Sequence, residues 1–349
     1  MEPIPDFTKV KNFPGTLDND FDIVLRRFDD LEKIPHLFFA ILLFGLAIPP
    51  TFGNWVWTLG LWLFFLGDWV LMAFLPRLKK SFGPAKPPTL FLAVMRMFFA
   101  FLPFPAAITL QILGTIMVVY GFWIEPQRIR VTRQKLTSPK LIPGKPVRLL
   151  HLGDLHVERI TSREIQLNRL IRELKPDIIL FSGDIINLSY VEDPLAWQEA
   201  RKILAEWYAP GGVFAVSGSP AVDLEHVFPH LVEGMPLTWL KEDSAQVEVN
   251  GQVINVIGLT CSHKPFVDGP KLEMLTSRLD GNFSILVYHT PDLAPNAANT
   301  GAIDLQVSGH THGGQIRVPG FGAFFAASLY GKRFESGRSQ VGNMTLYVT

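Results

Sequence analysis

The sequence predicts apolar, membrane-crossing helices at its N-terminal end followed by an α/β domain, and three observations carry that prediction. Of the 349 residues 48% are apolar and 18% charged, against about 25% charged in an ordinary soluble domain, and the mean hydropathy is +0.22. The apolar excess falls before residue 125, in runs at 34–50, 55–75, 89–103 and 105–124. From residue 147 onward, short apolar runs alternate with helix-length amphipathic segments, the pattern of strands and helices in layers.

The expected organisation is an N-terminal segment at 1–33, two to four transmembrane helices within 34–124, a linker at 125–146 and an α/β domain at 147–349. About 20 apolar residues cross a bilayer as a helix, so the runs at 55–75 and 105–124 are long enough and those at 34–50 and 89–103 are short. Pro103 and Pro105 break the last pair into a turn, since proline removes a helix donor. Lys9, Lys11, Arg26, Arg27 and Lys33, then Arg77, Lys79, Lys80 and Lys86, then Arg128, Arg130 and Arg133 flank the runs, while 49–54 and 102–106 carry no Lys or Arg. The positive-inside rule then puts both termini and the C-terminal domain in the cytoplasm, in an integral protein of the inner (plasma) membrane. Asp68 and Arg96 lie inside apolar runs, where a charge costs about 2.5 to 3.5 kcal/mol, and need each other or an interfacial depth. Trp55, Trp57, Trp62, Trp69 and Trp123 read as interfacial anchors or lipid-facing bulk. The prolines at 126, 139, 143 and 146 forbid a continuous helix in the linker.

In the α/β domain, 147–152, 177–181, 213–216, 284–288 and 305–307 read as strands. Helices are expected at 162–174, at 194–208 behind Asp193 and Pro194, and at 223–228 with Pro229 ending it. Asn250-Gly251 marks a two-residue hairpin turn between 246–249 and 253–257. The chain stops just after a strand-like run at 345–348, which is expected to leave a sheet edge open. Thirty-two basic and thirty-two acidic residues cancel, which removes any global drive toward nucleic acid, and lone Cys261 excludes an intrachain disulfide framework or a cysteine-built zinc site.

Chemistry concentrates just after the strands, where open α/β sheets place their sites. Asp154 and His156 follow the first run, Asp184 and Asn187 the second, His289 a later one, and His310 and His312 the last. Any one has a structural explanation as a turn cap, helix cap or buried imidazole; independent structural needs do not put acids and imidazoles at the tip of strand after strand. The blocks Gly-Asp-Leu-His at 153–156, Gly-Asp-Ile-Ile-Asn at 183–187, Tyr-His-Thr-Pro-Asp at 288–292 and Gly-His-Thr-His-Gly-Gly-Gln at 309–315 resemble the calcineurin-like metallophosphoesterase family, in its branch with N-terminal transmembrane segments, over about 147–318.

The resemblance implies a four-layer α/β/β/α sandwich and two divalent ions of Mn, Fe or Zn. Asp154, His156 and His312 would hold one ion, Asp184 would bridge, and His289 and His310 would hold the other. Asp184, His310 and His312 would serve catalysis through water activated by the ions. Asn187 is expected to position a loop or cap a helix, and Arg317 to contact phosphate or sit as a surface charge. One block departs from the pattern. Family members carry Gly-Asn-His followed by Asp or Glu where this chain has Gly218-Ser219-Pro220-Ala221, so Ser219 stands as candidate ligand in place of asparagine and Pro220 replaces the histidine that protonates the leaving group. A missing general acid costs on the order of 10²- to 10⁴-fold. His226 and His230, four apart, could stand in for it or be ordinary exposed imidazoles; His263 and Lys264 on a proline-flanked loop could touch substrate, and His151 is expected to be packed.

Two functional readings follow. One is a membrane-anchored, metal-dependent phosphoesterase cutting a phosphoester or pyrophosphate bond, with a lipid-linked compound among the candidate substrates, membrane lipids as neighbours and no nucleic-acid partner. The other is a degenerate member with weak or no catalysis that binds a ligand or acts as a scaffold.

Overall fold

In the computed structural model, the structure describes residues 1–315, 317–318, 320, 322–323 and 325–349, apart from the side chains of Phe21 and Val318. The chain divides into two units, one formed by 1–23, 133–157 and 168–349 and the other by 24–132 and 158–167.

The helical unit holds α1 (Asp20–Asp29, shared with the first unit), α2 (His36–Ala47), α3 (Trp55–Phe74), α4 (Lys86–Ala100) and α5 (Phe104–Val118). Asn54 caps α3 by accepting the Trp57 N–H, and Pro105 sits in the first turn of α5, where its missing donor costs nothing. Phe39, Leu43, Leu61, Phe65, Ala93 and Ala100 form the buried seam, while Phe38, Leu63, Val70, Phe91 and Phe98 are exposed. Such an apolar exterior suits hydrocarbon rather than water. Trp55–Leu78 and Phe104–Gln127 are each long and apolar enough to cross a membrane; the shorter α2 reaches that test only together with the preceding segment, across a bend of 115°. Asp68 and Arg96 meet as a bidentate pair at 2.6 and 2.8 Å. Trp62 and Trp123 use their indole N–H groups on the carbonyls of Ala40 and Leu71, so they tie helices together and are more than anchors.

The other unit is built on two sheets. Strands β1 (Leu149–Leu152), β2 (Ile178–Phe181), β3 (Val213–Ala215) and β4 (Thr238–Trp239) are parallel in that order. The second sheet contains β5 (Asp243–Val249), β6 (Gln252–Gly258), β7 (Phe283–Val287), β8 (Leu305–Ser308), β11 (Gly337–Val341) and β12 (Met344–Val348) in the order β11-β12-β8-β7-β6-β5; β9 (Arg317–Val318) and β10 (Gly322–Ala323) form a small ribbon. Ile178, Leu180, Phe214 and Val216 of one sheet pack on Val247, Ile254, Val256, Ile285 and Val287 of the other. Outside them lie α6 (Ser162–Leu174, of which 168–174 belong to this unit) and α7 (Pro194–Leu204) on the first sheet, and α9 (Pro265–Thr276) and α10 (Ala294–Thr300) on the second, with the short α8 (Phe228–Val232) following β3. The result is a four-layer α/β/β/α sandwich.

Two expectations change. Residues 223–227 are not helical, because Asp223 gives its carboxylate to backbone N–H groups of other loops, and Pro229 opens α8 instead of closing a helix. The run near the C-terminus is not an edge: β12 is paired on both sides, to β11 and β8, and β11 takes the border. The Asn250-Gly251 turn has both residues at positive φ, 53° and 71°, as the two-residue hairpin requires.

Candidate metal centre

The loops after β1, β2, β3, β7 and β8 converge at one end of the sandwich. Their backbone is unusual there: of the twelve non-glycine residues with positive φ among those described, six are Asp154, His156, Asp184, His263, His310 and His312. Left-handed backbone at a non-glycine residue is held only where the surroundings over-determine it, at about 1–3 kcal/mol each, and it concentrates at functional sites. Close glycines make the convergence possible. A Cβ on Gly309 would lie 2.5 Å from Asp154 Oδ2, and one on Gly218 would collide with the Asp184 carboxylate.

Two groups of side chains present ligand atoms within 4.8 Å of one another, Asp154, His156, Asp184 and His312 in the first and His263, His289 and His310 in the second. Asp154 is fixed by the His310 N–H, at 3.0 and 2.8 Å from its two oxygens. The His156 and His312 Nε2 atoms are 3.1 Å apart. The His289 Nδ1–H donates to the Ser182 carbonyl at 2.8 Å, which leaves Nε2 facing Asp184 Oδ2 at 3.3 Å. Asp184 therefore belongs to the first group and touches the second. Carboxylates and imidazoles packed this closely, with tautomers fixed from behind, are a donor set that fits divalent cations of borderline hardness.

The comparisons with known proteins agree with this donor set. Residues 147–314 match the family model of the calcineurin-like phosphoesterases. The domain belongs to that family. The chain is 29% identical over 243 residues to the metallophosphoesterase YkuE of Bacillus subtilis, spanning 66% of this chain and 80% of that one. It is 26% identical over 237 residues to the phosphodiesterase YaeI of Escherichia coli, 66% and 83% of the two chains. It is 25% identical over 254 residues to the UDP-2,3-diacylglucosamine pyrophosphatase LpxG of Chlamydia trachomatis, 58% and 74% of the two chains. The domain is that of a hydrolase acting on phosphoester bonds.

Electrostatics distinguish its side chains. Burial alone would raise Asp184, but the charge and hydrogen bond of His289, with His156 and His310 behind, hold its carboxyl below the ordinary range. Burial likewise opposes the charged form of His289, and the Asp184 carboxylate overcomes it, raising the imidazole to about 9. Burial lowers His156 and, joined by the charges of His263 and His289, lowers His310 strongly, which keeps these rings neutral and free to ligate.

The remaining expected residues are spread out. Ser219 lies beside Asp184 and His289, its Oγ 3.3 Å from Asp184 Oδ2 and 3.0 Å from His289 Nε2, and its N–H donates to Asp184 Oδ1 at 2.6 Å. Asn187 caps the turn at Leu188–Tyr190 by accepting the Ser189 N–H. Arg317 directs its guanidinium to Glu335, Ser336 and the Gly313 carbonyl. His226 is exposed and 3.3 Å from Glu192, and His230 is exposed too. His151 is packed edge-on to Tyr347 with Nε2 on Ser182 Oγ. Cys261 is buried and its thiol pushed up to about 12 by that burial, an inert position.

Two participants escaped the sequence reading, and a third, His263, expected at most to touch substrate, stands elsewhere. Asp223 accepts the N–H groups of Asp184, Ile185 and Gly218 at 2.7, 3.0 and 2.7 Å and so locks the β2 and β3 loops together; an acid two places beyond Ala221 was the available signal. His263 enters the second group of ligands from the β6–α9 loop. The N-terminal segment crosses the same loops: the Gly15 carbonyl accepts the Ala221 N–H at 3.0 Å, and Phe13 and Thr16 are buried. No local pattern marked that segment.

Proposed function

We propose that this protein is a membrane-anchored, dimetal phosphoesterase that cuts a pyrophosphate bond of a lipid-linked substrate at the cytoplasmic face of the inner membrane. The observation that carries the reading is Asp184, whose carboxylate faces both ligand groups and can be shared between two cations. When bound, the two cations supply Lewis acidity toward the phosphate oxygens and acidify a water for in-line attack at phosphorus. The chain's own residues do the rest. Asp223 and the His310 N–H fix the two loops that carry Asp184 and Asp154. The Ser182 carbonyl holds the His289 tautomer so that Nε2 points inward. Asp154, His156, His289, His310 and His312 are the remaining proposed ligands.

The bond type follows from what the β3 loop lacks. Pro220 has no proton to give, and Ser219 is occupied with Asp184 and His289. A leaving group of low pKa, such as a nucleoside phosphate expelled from a pyrophosphate, needs protonation least. LpxG, named as a pyrophosphatase of a diacylated nucleotide sugar, supports the lipid-linked class. The exposed apolar faces of α3 and α5 support anchoring, and the Lys and Arg flanking them support the cytoplasmic orientation. The same Ser219-Pro220 pair favours the second reading, a ligand-binding member with little turnover. Full-length protein in detergent, supplied with Mn²⁺ or Zn²⁺, should hydrolyse nucleotide-linked lipid pyrophosphates well above alkyl phosphomonoesters and diesters. Equal turnover on alkyl phosphomonoesters overturns the bond assignment, and no turnover on any of the three leaves the ligand-binding reading.

A further inference from the structure

We propose that His263 is a ligand of the second cation, completing a three-imidazole set with His289 and His310 next to Asp184. The inference rests on the dimetal reading above and adds a ligand that none of the family blocks contains.

The first observation is an unmatched atom. The His263 ring is 3% exposed, and its Nε2 is buried with no hydrogen-bond partner among the described residues. Leaving that nitrogen unmet costs about 1–3 kcal/mol, and unlike His151, whose Nδ1 is also unmet, His263 stands in a group of convergent imidazoles. The second is convergence. One ring nitrogen from each of His263, His289 and His310 falls inside the same 4.8 Å group. The rings meet at steep angles, with centroids 4.7 Å apart for His263 and His310, 5.9 Å for His263 and His289, and 5.1 Å for His289 and His310.

The third is preorganisation. Buried Asp268, in the first turn of α9, accepts the Ser262 N–H and hydroxyl at 2.8 and 2.7 Å and the Tyr288 hydroxyl at 2.6 Å. Ser262 precedes His263 and Tyr288 precedes His289, so one carboxylate sets the position of both imidazoles. His263 is also at φ 61°, sharing the left-handed backbone of Asp154, His156, Asp184, His310 and His312. The N-terminal segment closes on the same ring edge: a Cβ at Gly15 would stand 2.6 Å from His263 Cε1 and 2.7 Å from Nε2, so only glycine lets that segment lie this close. Three imidazoles, with the Nε2 proton of His289 given up to the incoming cation, form a set that takes Zn²⁺ and similar borderline cations.

The test counts Zn²⁺ per full-length chain in detergent by mass spectrometry after equilibrium dialysis and measures its affinities by calorimetry. The expected result for His263→Gln is loss of one Zn²⁺ equivalent, or a weaker-site Kd raised about 10-fold or more, with the tighter site unchanged. Stoichiometry and both affinities equal to those of the unaltered protein overturn the proposal. Because glutamine can displace the loop, anomalous diffraction from Zn²⁺-loaded unaltered protein provides a second measurement. A zinc about 2.0–2.1 Å from His263 Nε2 is expected, and a second zinc whose ligands exclude His263 overturns the assignment. Unaltered protein that takes up no Zn²⁺ sinks the dimetal reading as well, whereas two zincs retained by His263→Gln sink only the role of His263.

Discussion

The helical unit and the α/β unit each bury a cluster of charged and polar side chains, and the two clusters are finished differently. In the helical unit the five N–H donors of Arg96 are all taken, by both oxygens of Asp68, by the Gln111 carbonyl and side-chain oxygen, and by the Thr115 hydroxyl. Gln111 returns a hydrogen bond to the Arg96 carbonyl, and a Cβ on Gly114 would come within 2.9 Å of the guanidinium, so nothing further fits. In the α/β unit the carboxylates and imidazoles crowd together with nitrogens facing nitrogens at 3.1 Å and a buried His263 Nε2 that meets no partner. A cluster whose polar capacity is exhausted internally is architecture. One in which imidazoles and carboxylates converge and a buried ring nitrogen stays unmet has ligand capacity left over, which is able to hold a metal.

Five variants and one pH series test that contrast. The largest effect is expected at Asp184: Asp184→Asn should lower hydrolysis on the order of 10³-fold and remove both cations, read by turnover and metal counting together. Retention of two cations would refute a shared carboxylate. Next, Ser219→Asn with Pro220→His should raise turnover on alkyl phosphomonoesters about 10²-fold or more; an unchanged rate would mean that the rest of the site cannot use a proton donor there. In the helical unit, Asp68→Leu should cost about 3–5 kcal/mol by stranding Arg96, seen as a lower melting temperature in detergent with cation content unaltered. Adding Arg96→Met to the same chain should recover most of that loss.

Asp292 gives the pH dependence. Burial raises its carboxyl to about 6, opposed by hydrogen bonds from Ser328 and the Leu329 N–H. Because the folded value exceeds the unfolded one, the protonated form favours the fold: its contribution, about 3 kcal/mol, is complete below about pH 4 and disappears as pH rises toward 6. Asp292→Asn should therefore become progressively more stable than the unaltered protein between those pH values, and parallel melting curves across that range would contradict the assignment. The smallest change is expected for Gly15→Ala. Its Cβ meets the His263 ring and its φ of 85° disfavours a side chain, so affinity for the second cation should fall about 10-fold, measured by Zn²⁺ titration.

The parts legible in the sequence were those governed by neighbours along the chain. The strand runs, the Asn250-Gly251 hairpin, the helix at 162–174 and the Asp and His blocks at strand tips rest on periodicity, turn chemistry and adjacency, and the structure has the strands, hairpin and helix within a few residues of the expected bounds. The helix expected at 194–208 ends earlier, at Leu204, as the chain turns toward buried Trp207, whose indole donates to Asn168. What stayed hidden depends on distant partners. Asp223 looks like a helix start until the β2 loop is beside it, His263 looks like a loop residue that could touch substrate until His310 faces it, and 1–33 reads as one N-terminal segment until Gly15 meets the β3 loop. The Asp68–Arg96 pair lay between these cases: two charges in apolar runs demand partners, but only the fold says that Gln111 and Thr115 join them.

The left-handed turns beneath six of the proposed ligands bear on any attempt to move this site elsewhere. A scaffold redesigned to carry the same acids and histidines, chosen by side-chain spacing alone, would present them on relaxed loops and scatter their lone pairs. The transferable unit is instead the set of loops with its glycines and the Asp223 and Asp268 clamps, because these hold the main chain in conformations that it would otherwise leave.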